Sequence, residues 1–347
     1  MPKNKDTPIK PPPKELIQSV QFDLFSQFIT NDPSKVSNTV EVWESIPKYF
    51  FTPKQVEKLR TDEGLAKPYK LDYLYNDILC AVKIQPALIE QEEGNYKAFF
   101  PSLTEELVEE ALTKFFTEQQ YGIHDPKNSE SWVKFSLSMI HKELKARGRE
   151  RNRNQIKHAI EIMSSCVITL YKEEKEIWKG SILQDLVTVG REEYIEDTDS
   201  QHIARLPLFI SHSINNLEYR QFNYDRLMSC NEQLTRWIYK QLIHRFRQAN
   251  LVNHYHFMYS GLARDSGLLQ QATEGRNRQK VKSSLDELIN RGVITKYKSK
   301  QQMEGRKITD VKYIVTPTSD FVTEQKAANR RSNESYEKAI KSGLSIE

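Results

Sequence analysis

The feature that most constrains this chain is an order of elements that occurs twice. Ser102 and Glu105 stand at capping-box spacing, and Leu107, Val108, Ala111, Leu112, Phe115 and Phe116 then recur at helical intervals. A second helix is expected from about Ser131, with Trp132, Phe135, Met139 and Leu144 inward and Gly148 as its stop. A third is expected from about Asn152 to Ser165, presenting Ile156, Ile160 and Met163 on one side. β-rich runs follow at Val167–Tyr171, Ile182–Val189 and Ile203–Ile210, the last two separated by an acidic, turn-rich loop. The pattern then recurs. Asn231–Phe246 reads as a helix with Leu234, Trp237, Ile238 and Leu242 inward, and Gly261–Leu269 as one or two helical turns. Arg276–Arg291 reads as a third helix burying Val281, Leu285, Leu288 and Ile289 and ended by Gly292. Strand-like Val293–Tyr297 and Ile308–Val315 flank a polar turn at Gly305, and Pro317 closes the unit.

Three helices followed by a two-strand ribbon is the element order of a winged helix, whose third helix enters the major groove while the ribbon touches backbone. The expected fold is therefore α+β: two tandem winged-helix domains with a disordered N-terminal arm. Residues 1–42 form the arm, 43–217 the first domain, 218–317 the second, and 318–347 a polar tail, helical in part or frayed. The arm's first 16 residues are rich in Lys and Pro, as extended or disordered segments are. Leu71–Ile89 mixes helical and strand signals and is expected only to be ordered.

Charge follows the same duplication. The chain has 51 Lys+Arg against 47 Asp+Glu, a net +4 that hides its distribution. Residues 142–157 carry seven Lys/Arg and two Glu, and 276–300 carry eight and two acids, so the remainder is net −7. Acid gathers at Glu90–Glu93, Glu105–Glu110 and Glu192–Asp199. Two basic patches on an acidic body suggest a polyanion bound at two places; the plainer alternative is a pair of solvated helix faces.

Arg149, Arg151, Arg153, Asn154 and Lys157 cluster at the start of the first third helix. Arg276, Asn277, Arg278, Lys280, Lys282 and Ser283 do so in the second. Arg pairs bidentately with guanine and Asn with adenine, each good pair giving ~1–3 kcal/mol of discrimination. Lys more often neutralises phosphate. Cations in a first helical turn also oppose the helix dipole, a cost that a polyanionic ligand would offset. Arg236, Lys240 and Arg247 fall on one side of their helix and are expected to reach phosphates. Lys296, Lys298 and Lys300, on the wing, are expected backbone contacts.

Other functions are excluded or kept as alternatives on motif grounds. Cys80, Cys166 and Cys230 stand singly, without a CxxC pair, which excludes a zinc ribbon or a thioredoxin-like centre and fits buried thiols in a reducing cytoplasm. No run approaches the ~18 apolar residues of a spanning helix, and the first residues lack a signal peptide's apolar core, so a cytoplasmic, non-membrane protein is expected. There is no GxxxxGK[ST], hence no P-loop ATPase; no enzyme activity, catalytic residue, metal or cofactor is expected. The one enzymatic alternative is His254-Tyr255-His256, whose alternate histidines have the spacing of a metal-dependent rolling-circle nickase.

In the arm, Gln21-Phe22-Asp23-Leu24-Phe25 places apolar side chains where a partner must cover them, unless Phe22, Leu24, Phe25 and Phe28 pack back on the domain. The pentapeptide resembles the bacterial sliding-clamp-binding motif: Gln21, Leu24 and Phe25 match, and Phe22 stands where Leu is more usual. With that motif, residues 65–316 resemble plasmid replication initiators of the tandem winged-helix kind, the RepA/TrfA-like Rep proteins, including the segment Glu232–Tyr239 that opens the second unit. The resemblance implies binding to directly repeated origin sequences in double-stranded DNA and assistance in origin opening. It also implies recruitment of the sliding clamp and of host helicase or initiator proteins, and a monomer–dimer equilibrium. By the same resemblance the second domain is the main reader, and the first binds DNA and dimerises. The acidic Glu192–Asp199 loop departs from a DNA-contacting wing. A winged-helix transcription repressor is the alternative that the DNA-binding helices do not separate from an initiator.

Overall fold

The computed structural model describes residues 24–25, 35–92, 94–118, 120–188 and 201–341. The expected Glu192–Asp199 loop, Gln21, Phe22 and Phe28 lie outside them.

The first winged unit is built on α3 (Leu103–Thr117), α4 (Leu137–Ala146) and α5 (Arg153–Ser165). The capping box of α3 forms as its spacing predicts: Glu105 Oε2 accepts from Ser102 N at 2.7 Å. Below it Leu107, Val108, Ala111, Leu112 and Phe116 are buried, as are Ile156, Ala159, Ile160 and Met163 of α5. The wing is the hairpin of β8 (Val167–Lys172) and β9 (Lys175–Gly180). Its turn is Glu173-Glu174, both at positive φ (48° and 67°), the backbone of a type I′ turn without the usual Asn-Gly. The expected ribbon partner, Ile182–Val189, is therefore displaced.

Around this unit lie further strands. β2 (Tyr69–Tyr75) and β3 (Ile78–Gln85) meet at Asn76-Asp77, again both at positive φ, and extend the wing into a sheet of order β2-β3-β8-β9. β4 (Ala87–Glu90) and β5 (Tyr96–Phe99) form a separate hairpin. β6 (Gly122–Asp125), β7 (Glu130–Ser136), β10 (Gln184–Thr188) and β11 (Gln201–Arg205) form a third sheet, of order β10-β11-β7-β6. Ser131–Ser136 is thus strand rather than the opening of a helix. Ser131, Val133 and Phe135 are buried in alternation, and the helix begins only where Ser136 Oγ accepts from Met139 N at 3.1 Å. The run Ile203–Ile210 likewise breaks at Pro207, the N-cap of α6 (Leu208–Asn215).

The second unit comprises α8 (Gln233–Arg245), β13 (Tyr255–Met258), α9 (Tyr259–Ser266) and α10 (Glu274–Asn290). It ends in the long wing of β14 (Ile294–Glu304) and β15 (Lys307–Pro317), in a sheet of order β13-β15-β14. Val311, Tyr313 and Val315 alternate inward along β15 and close the core over Val281, Leu285 and Leu288.

Three short elements precede the first unit: β1 (Val36–Thr39), α1 (Glu41–Glu44) and α2 (Pro53–Leu59). Two more, β12 (Arg220–Asn223) and α7 (Tyr224–Ser229), lead into the second. β1 lies within the stretch expected to be arm, yet it is buried and pairs antiparallel with β12. The expected polar tail is α11 (Ser319–Lys341), docked on the body by Phe321, by Glu324 paired with Arg226 at 2.5 Å and by Gln325 bonded to Arg220 at 2.7 Å. No helix among the described residues is long and apolar enough to cross a membrane.

The two units share a buried charged seam, and here the expectation for Arg236 and Lys240 is overturned. Arg236 is 1% exposed and grips Glu106 with two nitrogens, at 2.8 and 2.9 Å. One turn on, Lys240 bonds both Glu110 and Glu44, the latter at 2.7 Å. Arg247 pairs with Glu41 at 2.7 Å. Arg236 and Lys240 cannot meet phosphates, because they are buried and acids of α1 and α3 neutralise them, whereas the Arg247 side chain stays half in solvent. Beyond the seam, Asp265 of α9 accepts from Leu74 N of β2 at 2.9 Å. Gly267 ends α9 at φ +65°, where an added Cβ would lie 2.8 Å from Phe50.

Two carboxylates share the one Lys240 ammonium, and their protonation differs. Burial pushes the Glu110 carboxyl up to about 7, the Glu44 carboxylate adding to the rise and Lys240 opposing it. For Glu44, burial is outweighed by Lys240 and Lys48, and its carboxyl falls below the ordinary range. Between about pH 4.3, where an unfolded Glu ionises, and about 7, the folded chain holds a Glu110 proton that the unfolded chain has released. The parent therefore loses stability from this group as pH rises through that window. Glu110→Gln removes the linkage, so its unfolding constant should fall relative to the parent by up to about tenfold per pH unit. Urea denaturation of both proteins at pH 5, 6 and 7 measures this; a constant difference between them would contradict it.

Candidate nucleic-acid interface

The third helix of the second unit, α10, begins at Thr273, whose Oγ1 accepts from Arg276 N at 3.3 Å. Hydrophobic spacing turns Val281, Leu285 and Leu288 inward, which leaves Arg276, Lys282 and Ser283 in solvent with Arg278 half-buried. Among the described residues no carboxylate lies within 4 Å of Arg276, Arg278 or Lys282. On the same face stands exposed Gln279, a residue type able to bond adenine. Sequence reading passed over it because only charge was followed, although it lies three residues from both Arg276 and Lys282.

Two members of the expected cluster face elsewhere. Asn277 is 4% exposed, and its Oδ1 accepts from Gln271 N at 2.8 Å, closing the turn before the helix. The base-reading role expected of it is corrected to a structural one. Lys280 is half-buried with Nζ donating to Leu268 O at 3.1 Å, and burial lowers its pKa. It ties the α9–α10 connection down while its stem lines the same surface.

The wing adds a row of cations. Lys296, Lys298 and Lys300 alternate on β14, so all three share one exposed face. At the tip the sequence reading missed Arg306 and Lys307, both exposed beside Gly305 at φ +59°. The signal was their place in the polar turn of an already basic hairpin.

In the first unit α5 starts from a reciprocal cap. Gln155 N donates to Asn152 Oδ1 at 2.9 Å, and Asn152 N donates to Gln155 Oε1 at 3.0 Å. Arg153, Asn154 and Lys157 are exposed beyond it. Arg151 is half-buried and bonds Thr104 Oγ1 at 3.3 Å. Arg149 is turned away: it donates to Met228 O and Asn231 Oδ1, both at 2.9 Å, and joins the two units. The DNA contact expected of it is corrected, since the preceding turn at Gly148 swings it toward α7. The β8–β9 wing alternates Lys172, Lys175 and Lys179 with Glu173, Glu174 and Glu176, so it lacks the one-sign face of the second wing.

Leu24 and Phe25, expected as exposed clamp contacts, are 3% and 1% exposed. The Phe25 ring lies 4.9 Å from Tyr219 and 5.4 Å from Phe116. Buried Arg331 of α11 donates to the carbonyls of Leu24 and Phe25 at 3.0 and 2.6 Å. The pair thus packs back on the domain. His254 bonds Thr316 at 3.1 Å, and Tyr255 stacks near Phe246 at 5.5 Å. Among the described residues no three His, Cys, Asp or Glu are grouped to hold a metal.

No protein-family model and no curated protein matches the sequence. Among solved structures, the selenomethionine derivative of domains 2 and 3 of RctB is similar with a TM-score of 0.49 at 11% identity, over 83% of this chain and 99% of that one. A second structure of RctB domains 2–3 gives 0.44 at 13% identity, over 78% and 97%. The Pi initiator protein in complex with iteron DNA gives 0.36 at 11% identity, over 83% and 100%. Similarity at this level is partial likeness of backbone and carries no residue-level correspondence.

Two substitutions separate structural from reading roles. Asn277→Ala should cost about 1–3 kcal/mol of stability through the unmet Gln271 N–H, with no change in base preference on any bound duplex; altered preference at full stability would contradict this. Phe25→Ala should cost about 3–5 kcal/mol, measured by chemical denaturation, as removal of a buried aromatic does. A surface-like loss below 0.5 kcal/mol would contradict its place in the core.

Proposed function

We propose that this chain is a sequence-specific double-stranded DNA-binding protein of the replication-initiator type, reading repeated origin sequence chiefly through α10. The observation that carries the reading is the pair of third helices whose Arg276, Arg278, Lys282, Arg153 and Lys157 have no ion pair among the described residues, while Arg236 and Lys240, turned inward, are paired with acids. The second wing, with one-sign charge, completes a helix-plus-ribbon contact; the first, with mixed charge, supports a lesser share for that unit. The initiator part of the reading rests on the sequence resemblance, which brings origin opening through binding energy or a host ATPase, host helicase or initiator partners, and a monomer–dimer equilibrium. In this reading Leu24 and Phe25 reach a sliding clamp only after leaving the core, so clamp recruitment follows release of their carbonyls by Arg331.

The test uses a duplex carrying direct repeats from the DNA that flanks the coding region. Arg276→Ala and Arg278→Ala should each weaken binding on the order of ten- to a hundredfold and narrow the gap between repeat and scrambled duplex. Arg153→Ala should weaken both duplexes less and about equally. Undiminished binding by the Arg276 and Arg278 variants would contradict the reading, and an absence of such repeats would favour a transcription repressor. For the clamp, Arg331→Ala should raise binding to purified sliding clamp; equal or lower binding would remove that partner from the proposal.

A further inference from the structure

Between the two third helices lies α2, a short helix that no winged-helix element order calls for. On one side a cleft of about 310 Å³ is lined by Val56, Glu57 and Arg60 of α2 together with Gln155 and His158 of α5. On its other side a cleft of about 440 Å³ joins Lys54, Gln55 and Lys58 to Gln270, Arg276 and Lys280. Gln55 Nε2 donates to Gln270 Oε1 across that cleft, so α2 is fastened to the approach of α10. One short helix therefore bridges the flanks of both recognition helices.

Its charges are sorted. Arg60 is held inward, with its guanidinium 4.7 Å from the Phe99 ring centre, Nε donating to Ala98 O at 2.8 Å and Nη1 paired with Glu57 at 2.7 Å. That pairing also neutralises the helix's lone acid. Lys54 and Lys58 are left exposed, one turn apart, with no ion pair among the described residues. Like charges at this spacing repel each other, and a polyanion laid across them relieves the repulsion.

We propose that Lys54 and Lys58 bind the sugar–phosphate backbone of the same duplex that α5 and α10 enter, a site that rests on the reading given above. Two recognition helices in successive major-groove segments leave backbone, not base edges, facing whatever lies between them. Lysine suits that place: it is a flexible point charge that neutralises phosphate without the planar fork that reads guanine. The surface is thus one continuous track, α5 to α2 to α10, and α2 adds affinity without adding sequence information.

The test is the salt dependence of binding to a duplex selected by the parent protein from a random pool, for Lys54→Gln/Lys58→Gln and separately for Arg276→Ala/Arg278→Ala. For the lysine pair, the slope of log affinity against log salt should become shallower by about one to two, with the ranking of selected sequences unchanged. An unchanged slope, alongside lost binding in the arginine variant, would overturn the α2 site and leave the recognition helices standing. A changed ranking would overturn it as well, by making α2 a base reader. Full binding by the arginine variant would bring down the underlying reading.

Discussion

The ammonium of Lys240 and the guanidinium of Arg236, held out of water between two helices of the other unit, set the geometry on which everything else depends. Glu106 and Glu110 stand four residues apart on α3, Arg236 and Lys240 four apart on α8, and each acid meets the cation of matching height. Taking such charges out of water is expensive, and a well-packed apolar seam would match it in stability. What the pairs supply is register: leaving one partner alone in the seam costs about 3–5 kcal/mol, so sliding α8 by a turn is strongly disfavoured. Glu44 and Glu41 of α1 extend the same lock to Lys240 and Arg247.

From that register follows the position of the surfaces proposed to face DNA. The seam seats α9 against β2 through Asp265 and fits the closed turn at Gly267 over Phe50. It thereby presents α10 beside α2, and α2 beside α5. In the seam Arg236 and Lys240 are paired with acids, whereas Arg276, Arg278, Lys282, Lys54 and Lys58 have no ion pair among the described residues. The C-terminal helix acts on the opposite side, where Arg331 and Glu324 close the body over β1 and β12.

Much of this was legible in the sequence, and the failures have physical causes. Both third helices, the second wing and the α3 cap follow from periodicity and capping spacing, because α10 and α5 bury one stripe and expose the rest. β7 was misread because Trp132, Phe135 and Met139 satisfy a helical spacing while Val133 and Phe135 satisfy a strand's, and the tertiary sheet decides between them. The first wing was displaced because Glu173-Glu174 adopts a turn normally announced by Asn or Gly, and the turn at Asn76-Asp77 lies in a run expected only to be ordered. The fate of Arg236 and Lys240 was recoverable in principle: an acidic helix face with spacing complementary to a basic one is a docking signal. Asn277 and Arg149 were not recoverable, since whether a polar residue beside a helix start turns inward depends on the turn before it.

The most direct measurement of the central claim is a hydroxyl-radical footprint of the full chain on a duplex it selects. A fixed track predicts protection on one side of the helix over two segments about one helical turn apart, joined by protected backbone between them. Protection confined to a single segment, or two segments whose spacing drifts from one duplex to another, would contradict a rigid pairing of the two units.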